Sequence, residues 1–469
     1  MGFVLADVMR SRVGESAALH ARHLNPQLPR LAHLLGTDVD YERAAGSWLW
    51  DGQGRRYLDS LSGFGVFGLG RNHPVVRQAL QDALSAELAD MVQLDLPLLP
   101  GLLAEALLAR APGLDRVYWC SSGNESVEAA LKFARRATGR RRILYCDHGF
   151  HGLSAGALSA NGSAEFRRGF GPMLPGSQIA LGDLTGLRRE LRRGDVAALV
   201  VEPIQGKGVH VCPPGFLTAA SQLLHEYGAL LICDEVQSGV GRTGTFFAYQ
   251  AEQVQPDLVT VAKALSGGYV PVGALLGKDW IFRKVYSSID KVMVHSSTFG
   301  GNALAMVAGL ATLAVLDDEA LIDNARGRGA ALQVGLDEFA GRYEMLAQVR
   351  GRGLMLGIEF GRPQSLRLRL PWAAIRAVRK GLFSQLVVSP LFHRHRVLCQ
   401  VSGDHMDVIK FLPPLIVADE EVAYLLGALD DVLGDIHRGR GLTREVVRLA
   451  RGRRELGRRA PALPGAFPR

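Results

Sequence analysis

Short apolar runs alternate with helix-like stretches through the middle of the chain. From about residue 74 onward, the helix-like stretches repeat apolar positions every three or four residues, and five short apolar runs lie among them. Strands that alternate with helices predict βαβ units around a mostly parallel sheet. The predicted strands are Arg116–Cys120, Arg142–Cys146, Ala197–Val201, Leu230–Cys233 and Leu258–Val261.

The two ends of the chain carry a different pattern. Apolar and polar residues alternate on both sides of a turn at Asp51–Gly54, which predicts a hairpin. A long helix is predicted from Ala303 to about Gly341. A turn and strand at 350–359, strands at 397–401 and 407–412, and a helix at 419–433 follow. We therefore predict a large domain over residues 74–330 and a small α+β domain over 331–437. Residues 1–73 contribute to the small domain, and residues 438–469 form a basic tail.

Composition limits the classes of protein that this chain can belong to. Over 469 residues, 48% are apolar and 21% are charged, which is typical of a folded globular protein. No apolar run reaches the roughly 18 residues of a membrane span, and the N-terminus lacks the features of a secretory signal. Five scattered cysteines without a C-x-x-C pair indicate neither a metal site nor structural disulfides. We expect a cytoplasmic protein without a transmembrane segment.

The net charge of +8 lies in the tail. Residues 438–469 contain ten arginines and two acidic residues, so the rest of the chain is neutral. A solvated amphipathic helix at 444–459 is favoured over a functional contact with a polyanion or a membrane. We therefore expect no nucleic-acid partner.

Lys263 and Asp234 follow or end predicted strands, where ligands of parallel sheets collect. Only eight of the 54 basic residues are lysines, and lysine, unlike arginine, can lose its proton and form a Schiff base. A partly buried Asp234 requires a cationic partner, which a protonated pyridine nitrogen would supply. Taken singly, a surface cation at Lys263 and a structural salt bridge or helix cap at Asp234 are the commoner interpretations.

Two further strand ends carry candidate binding groups. Small residues at 121–126 precede a helical run, and a helix N-terminus presents backbone N–H groups to an anion, although a simple N-cap is the commoner use. Phe150 could stack on a planar cofactor. The adjacent His151 is expected to be a hydrogen-bonded structural histidine rather than an acid or base.

In this order, these motifs resemble the class III pyridoxal-phosphate-dependent aminotransferases, the family of the ornithine, acetylornithine and 4-aminobutyrate enzymes. The resemblance spans about 48–433. Its motifs are Ser122-Gly123-Asn124-Glu125 with Glu128-Ala129-Ala130-Leu131-Lys132, Phe150-His151-Gly152, Val201-Glu202-Pro203-Ile204-Gln205-Gly206, the run from Asp234 to Gly244, Ala262-Lys263-Ala264-Leu265, and Ser297-Thr298-Phe299-Gly300-Gly301-Asn302.

The resemblance implies the aspartate aminotransferase-like α/β fold called fold type I, with a mostly parallel seven-stranded sheet in the large domain. It also implies a homodimer with both active sites at the interface, and pyridoxal 5′-phosphate as cofactor. Lys263 would be the Schiff-base lysine and proton shuttle. The other implied contacts are Asp234 with the pyridine nitrogen, Phe150 and Val236 with the ring faces, Gln237 with the ring hydroxyl, and Gly123, Asn124 and the neighbouring subunit's Thr298 with the phosphate.

The implied reaction moves an amino group from a small-molecule donor to a carbonyl acceptor in two half-reactions. Three positions depart from the relatives that use ornithine or 4-aminobutyrate. Leu153 and Lys410 stand where those relatives have arginines that bind substrate carboxylates, and Lys207 replaces a glutamate that masks the second arginine. Lys207 would repel Lys410 rather than mask it.

We therefore expect an acceptor without a carboxylate near the reacting carbon, an aldehyde or ketone of secondary or hopanoid-like lipid metabolism. Phe64 is expected to line the substrate entrance or to be an ordinary core or interface residue. Two alternatives stay open: an ornithine-, acetylornithine- or 4-aminobutyrate-type ω-aminotransferase, and an aminomutase on the same fold.

Overall fold

The computed structural model describes residues 2–378, 381–403 and 406–440. The predicted helix at 444–459 lies outside these residues. Three sheets are present, of four, seven and four strands. No helix within the described ranges is long and apolar enough to cross a membrane.

The N-terminal part forms three helices and a small sheet. The predicted hairpin is confirmed, since β2 and β3 pair antiparallel with Trp48 opposite Leu58. Asp51 closes the turn because its Oδ1 accepts from the backbone N–H groups of Gln53 and Arg55, both at 3.0 Å. The elements are α1 Leu5–Ser11, α2 Ser16–His23, α3 Gln27–Leu35, β1 Tyr41–Ala45, β2 Trp48–Asp51, β3 Arg56–Asp59, the short α4 Ser62–Gly65, α5 Pro74–Ser85 and α6 Leu98–Leu108.

A seven-stranded sheet forms the centre of the molecule and confirms the predicted fold class. Its strands are β4 Arg116–Cys120, β5 Arg142–Cys146, β6 Gly176–Ile179, β7 Val196–Val201, β8 Leu230–Asp234, β9 Leu258–Val261 and β10 Gly273–Gly277. They lie in the order β4-β10-β9-β8-β7-β5-β6. β10 runs opposite to the other six strands of this sheet, so its pairings with β4 and β9 are antiparallel. The five predicted strands are present within one residue at each end, whereas β6 and β10 were not predicted.

Helices cover both faces of this sheet, α7 on one face and α11 on the other. The helices of this part of the chain are α7 Gly123–Thr138, α8 Ala155–Ser159, α9 Ala164–Arg167, α10 Leu184–Leu191, α11 Phe216–Glu226, α12 Asp279–Val285, α13 Ala303–Asp318 and α14 Leu321–Arg342. α14 packs against the C-terminal elements instead of this sheet. The prediction of one long helix from residue 303 was wrong. The chain breaks at Ala320, whose φ of 48° is left-handed and cannot continue a right-handed helix.

The C-terminal elements return to the N-terminal sheet. They are β11 Leu346–Arg352, β12 Met355–Phe360, α15 Leu366–Val378, α16 Leu382–His395, β13 Val397–Leu398, β14 Gln400–Val401, β15 Val408–Phe411 and α17 Asp419–His437. The predicted single strand at 397–401 is two strands. β13 pairs parallel with β3, whereas β14 pairs with β15, so this segment joins two sheets.

Candidate active site

The carboxyl ends of the parallel strands open into a cavity of about 2050 Å³. Eleven of the twelve residues predicted for the site line it: Phe64, Gly123, Asn124, Phe150, Leu153, Lys207, Asp234, Val236, Gln237, Lys263 and Lys410. Thr298 is exposed and lies outside the lining. The fold therefore places these eleven residues around one cavity.

Asp234, the last residue of β8, is 3% exposed and is held on both oxygens. Its Oδ1 accepts from the Thr260 hydroxyl at 3.0 Å and from the backbone N–H of Val236 at 3.1 Å. Its Oδ2 lies 2.7 Å from Nδ1 of His151. These contacts fix the direction in which the carboxylate faces the cavity.

His151 is fully buried behind Asp234, as expected for a hydrogen-bonded structural histidine. Burial works to lower the pKa of its ring, but the hydrogen bond and negative charge of Asp234 outweigh burial and raise that pKa. The hydrogen bond from the His151 ring holds the Asp234 carboxylate in place. His151 therefore positions the aspartate.

Lys263 begins the turn after β9 and has a left-handed backbone, with φ at 47°. Such a conformation costs a non-glycine residue about 1–3 kcal/mol and is common at functional sites. Burial lowers the pKa of the Lys263 amine against the opposing charges of Asp234 and Glu202. The amine is therefore more easily deprotonated, which a nucleophilic lysine requires.

The first turn of α7 faces the cavity with its backbone N–H groups. Ser122 caps the helix by accepting from Glu125 N at 3.2 Å, and Gly123 and Asn124 are the first helical residues. Oδ1 of Asn124 accepts from the backbone N–H groups of Leu153 and Ser154 at 2.9 and 3.0 Å. This arrangement leaves the Nδ2 amide of Asn124 as a donor beside a helix N-terminus, which suits an anion.

Gly123 admits no side chain at this turn. A Cβ there would lie 2.7 Å from Cγ1 of Val236 and 3.3 Å from Cβ of Ala262. Gly123→Ala is expected to displace Val236 or the helix start, and to weaken retention of a ligand in the cavity by at least about tenfold, since overpacking costs about 1–3 kcal/mol. Equilibrium dialysis of the cofactor measures this loss.

Gly101→Ala is the matched control for Gly123→Ala. Gly101 lies in α6, and no atom lies within 4 Å of a Cβ at that position. This variant is expected to keep the cofactor affinity of the native protein. Equal affinities for the Gly123 variant and the native protein would show that the close contact with Val236 has no role in the site.

Glu202 ties two loops of the site together. Its Oε2 accepts from Phe150 N at 2.9 Å and its Oε1 from Gly206 N at 2.8 Å. Burial raises the pKa of Glu202, against the lowering effect of His151. The Phe150 ring lines the cavity and packs edge-on against Phe166, with ring centroids 5.3 Å apart.

Lys207 does not stand free in the cavity. Its amine forms an ion pair with Glu165, lies 3.3 Å from the Ser163 hydroxyl and sits 4.4 Å from the centroid of the Phe166 ring. The charge of Lys207 is therefore compensated locally by Glu165. The repulsion of Lys410 that the sequence predicted is reduced accordingly.

Lys410, on β15, is 5% exposed. Its amine donates to Gly206 O at 2.7 Å and to Gln237 Oε1 at 3.1 Å. Gln237 in turn donates from Nε2 to the backbone oxygen of Phe64 at 3.0 Å. Burial and the nearby charge of Lys263 lower the pKa of Lys410 to about 7, against the raising effect of Glu202.

Leu153 and Phe64 give the cavity an apolar side. Their side chains are 58% and 49% exposed and both line the cavity. Among the described residues of the lining, the only cationic side chains of lysine or arginine are Lys207, Lys263 and Lys410. A chain with 46 arginines among its 54 basic residues thus places none of them in the described wall of this cavity.

The donor set fits pyridoxal phosphate. Asp234 offers a buried carboxylate for a protonated pyridine nitrogen, and the start of α7 offers N–H groups for a phosphate. Lys263 offers an amine whose pKa is lowered, as a bond to the cofactor aldehyde requires. Fold and site together define a pyridoxal-phosphate enzyme of fold type I.

Comparison with known proteins agrees with this class. The model of the class III aminotransferase family matches residues 33–433, so the chain belongs to this family. Aminotransferase PigE of Serratia sp. (strain ATCC 39006) is 34% identical over 447 residues, which cover 88% of this chain and 52% of that protein. The chain therefore spans about half the length of this curated relative.

Two solved structures are similar along most of both chains. The ornithine aminotransferase from Toxoplasma gondii is 28% identical with a TM-score of 0.80, over 92% of this chain and 98% of that one. An amine transaminase from an uncultivated Pseudomonas species, in its pyridoxal-phosphate-bound form, is 28% identical with a TM-score of 0.73, over 84% and 94%. The cofactor of the family is pyridoxal phosphate.

Three contacts of the site escaped prediction. Glu202 was part of a motif without a role, Thr260 is a buried residue of β9, and Glu165 lies in the short helix α9. A carboxylate that ends an apolar strand, as Glu202 does after β7, was the available signal, because it resembles the placement of Asp234. Nothing in the sequence points to the pairing of Glu165 with Lys207.

Proposed function

We propose that this aminotransferase transfers an amino group from an amino donor to an aldehyde or ketone that lacks a carboxylate near the reacting carbon. The observation that carries this proposal is the set of cations in the cavity. Leu153 offers no charge, Lys207 is neutralised by Glu165, and no described arginine lines the wall. Bidentate recognition of a second carboxylate, for which arginine is suited, therefore has no group among the described residues of the lining.

The cofactor would be held by the residues that converge on the cavity. Asp234 would neutralise the pyridine nitrogen, Phe150 and Val236 would flank the ring, and Gln237 would approach its hydroxyl. Gly123 and Asn124 would bind the phosphate through the start of α7. When bound, pyridoxal phosphate supplies an electron sink for the negative charge that develops at the reacting carbon.

Lys263 would hold the cofactor through its amine and then move the proton at the substrate's reacting carbon. Its lowered pKa suits both tasks, because an amine must be neutral to attack or to accept a proton. The left-handed backbone at φ 47° directs this one side chain from the turn after β9 into the cavity. Asp234, held in place by His151, would balance the positive charge of the pyridine nitrogen at the other end of the cofactor ring.

Lys410 would receive the single carboxylate of an amino-acid donor. Its amine already lies against Gly206 O and Gln237 Oε1, so it has a fixed position at the cavity wall. As a single point charge, it would hold one carboxylate oxygen less selectively than an arginine fork. One such cation is sufficient for a monocarboxylate donor such as L-alanine, and the described wall leaves none for the second carboxylate of a dicarboxylate.

A pH dependence follows from the pKa of Lys410, which is lowered to about 7. As pH rises through this value the amine loses its charge, so the KM for L-alanine is expected to rise by about tenfold between pH 6 and pH 9, since a hydrogen bond to a charged group contributes about 1.5–3 kcal/mol. Capture of the cofactor by Lys263 removes a neighbouring charge and moves the midpoint upward. Steady-state kinetics with L-alanine measure this rise.

Two comparisons isolate Lys410 in that experiment. Putrescine has no carboxylate, so its KM is not expected to follow the same rise. Lys410→Arg keeps its charge throughout the range and is expected to flatten the L-alanine profile. A rise of equal size in the arginine variant would contradict the role of Lys410.

We propose, as part of this function, a homodimer in which the partner subunit's Thr298 completes the phosphate site. Thr298 is exposed, and the residues around it form an unusually apolar surface: Ile289, Val292, Met293, Val294 and Phe299 are 94%, 56%, 65%, 52% and 58% exposed. Exposed apolar patches of this kind mark protein interfaces. The mass of the holoenzyme in solution tests this proposal.

Transfer of isotope-labelled nitrogen tests the proposed reaction. Nitrogen-labelled L-alanine is supplied with hexanal or with 2-oxoglutarate, and the amine products are identified by mass spectrometry. We expect label in hexylamine and little transfer to 2-oxoglutarate. Preferred labelling of the dicarboxylate would favour the ornithine- or 4-aminobutyrate-type alternative, and rearrangement of a single amine without a donor would favour the aminomutase.

Leu153→Arg provides the gain-of-function version of this test. Leu153 is 58% exposed at the cavity, so a longer side chain finds space there. The variant is expected to raise kcat/KM for 2-oxoglutarate by about tenfold, since a charged hydrogen bond contributes about 1.5–3 kcal/mol. No gain with 2-oxoglutarate would contradict the assignment of Leu153 to the carboxylate position.

A further inference from the structure

One wall of the cavity is formed by three helices rather than by the strand ends of the seven-stranded sheet. Leu31 and Leu34 of α3, Ile375 of α15, and Leu382 and Leu386 of α16 all line it. We call these five residues the apolar arm. They come from both ends of the chain and not from the strand ends that carry the proposed cofactor contacts.

The apolar arm adds space that a cofactor and a small substrate do not need. Typical sites for small ligands have volumes of about 300–1,000 Å³, whereas this cavity is about 2050 Å³. Leu386 and Ile375 are 1% and 8% exposed and form a packed floor, whereas Leu31 is 51% exposed. The arm therefore has a buried side at Leu386 and Ile375 and an exposed apolar side at Leu31. The exposed side offers apolar surface to a bound ligand.

Among the described residues, the apolar arm has no charged side chain, whereas the rest of the cavity has several. The charged residues of the described lining are Glu165, Glu202, Lys207, Asp234, Lys263 and Lys410, and none of them belongs to α3, α15 or α16. The described polar residues of the lining nearest to the arm in sequence, Thr37 and Gln385, are uncharged. A ligand part that lies here must be uncharged and mainly apolar, because a charge would be desolvated without a partner.

We propose that the apolar arm binds the alkyl chain of the acceptor, so that the acceptor is a straight-chain aliphatic aldehyde with its carbonyl group at Lys263. This inference rests on the proposed function and names its substrate class. Continuity of the arm with Lys263 in one cavity supports an occupant that reaches both, as a chain with a terminal carbonyl does. Binding of the chain by apolar contact would compensate for the lack of a second carboxylate site.

A chain-length series tests this inference on the holoenzyme. With L-alanine as donor, kcat/KM is measured for butanal, hexanal, octanal and decanal. Each methylene buried in the arm is expected to raise kcat/KM about fourfold until the arm is filled. A flat series in an enzyme that turns over butanal would overturn the inference and leave the proposed function standing. If no aldehyde is aminated while 2-oxoglutarate is, the proposed function itself fails.

Substitutions in α3 locate the chain. Leu34→Gln places a polar group on the arm and is expected to lower kcat/KM for octanal about tenfold, since a buried leucine side chain contributes about 1.5–3 kcal/mol. The butanal rate and the reaction with the donor are expected to stay unchanged. Leu28→Gln is the control, because Leu28 lies on the same helix, is 50% exposed and does not line the cavity.

Two results with these variants would overturn the inference. Equal losses with octanal and butanal in Leu34→Gln would show that α3 only supports the fold. Dissociation of the proposed dimer by Leu34→Gln, but not by Leu28→Gln, would show that a segment of the partner chain occupies the arm. A loss confined to the long aldehydes in Leu34→Gln supports the alkyl chain as occupant.

Discussion

Replacing Lys263 with alanine is expected to abolish turnover, with a fall in kcat of at least about 10⁴-fold. The reason is that two tasks are lost together: the amine that holds the cofactor, and the base that moves the proton, which alone contributes about 10²–10⁴-fold. The visible absorption band of lysine-bound pyridoxal phosphate is expected to disappear as well. Steady-state kinetics and an absorbance scan of the purified variant measure both effects.

Lys284→Ala is the control for this experiment. Lys284 is an exposed residue of α12, away from the described lining of the cavity. It is expected to keep the absorption band and the rate of the native enzyme. A Lys263→Ala variant that retains the band would show that another amine holds the cofactor, and Lys410, buried beside the site, would be the first candidate.

Asp234→Asn is the second change with a large expected effect. An amide has almost the shape of the carboxylate but no negative charge, so the pyridine nitrogen would lose its counter-charge. Loss of one such electrostatic group costs about 10²–10³-fold in kcat. The variant is also expected to leave His151 without the charge that raises its pKa. Kinetics of each half-reaction and cofactor affinity measure the loss.

A second buried aspartate gives a matched control for the asparagine variant. Asp257 is 2% exposed and accepts from Leu231 N at 2.8 Å and from Lys278 at 2.7 Å, but it lies outside the described cavity lining. Asp257→Asn is expected to lower the Tm, since it weakens a buried ion pair, while the purified protein keeps its cofactor and rate. Similar kinetic losses in both variants would mean that Asp234 acts only through the stability of the fold.

Local patterns predicted the central sheet because buried parallel strands are continuous apolar runs. The runs that form β5, β7 and β8 are of this kind, and their positions were predicted within one residue. The segments that form β6 and β10 differ. Gly-Ser-Gln-Ile at the sheet edge is polar, and the short β10 is bounded by glycines, so neither has the composition of a buried strand.

The site was predicted residue by residue where chemistry is tied to a strand end. Asp234 and Lys263 stand directly at or after strands, and so the sheet topology brings them together. The partners that set their properties come from elsewhere in the chain. His151 reaches Asp234 from a residue 83 positions away, and Glu165 reaches Lys207 across 42 positions. Such pairings depend on how loops cross in space, which periodicity does not encode.

Three substrate-binding positions distinguish this chain from the ornithine and 4-aminobutyrate enzymes that its motifs resemble. The sequence already shows Leu153, Lys207 and Lys410 at these positions. The structure adds that Lys207 is paired with Glu165 and that Lys410 is buried with a pKa of about 7. Together these facts support the proposed acceptor without a carboxylate.

The most direct test of this central claim is a single-turnover measurement on the aminated holoenzyme. The enzyme is treated with an amino donor, freed of that donor, and mixed in a stopped-flow instrument with octanal or with 2-oxoglutarate at equal concentration. Return of the absorption band of lysine-bound cofactor is the readout. We expect return with octanal to be at least about tenfold faster, the effect of one lost charged contact. Faster return with 2-oxoglutarate would contradict the account.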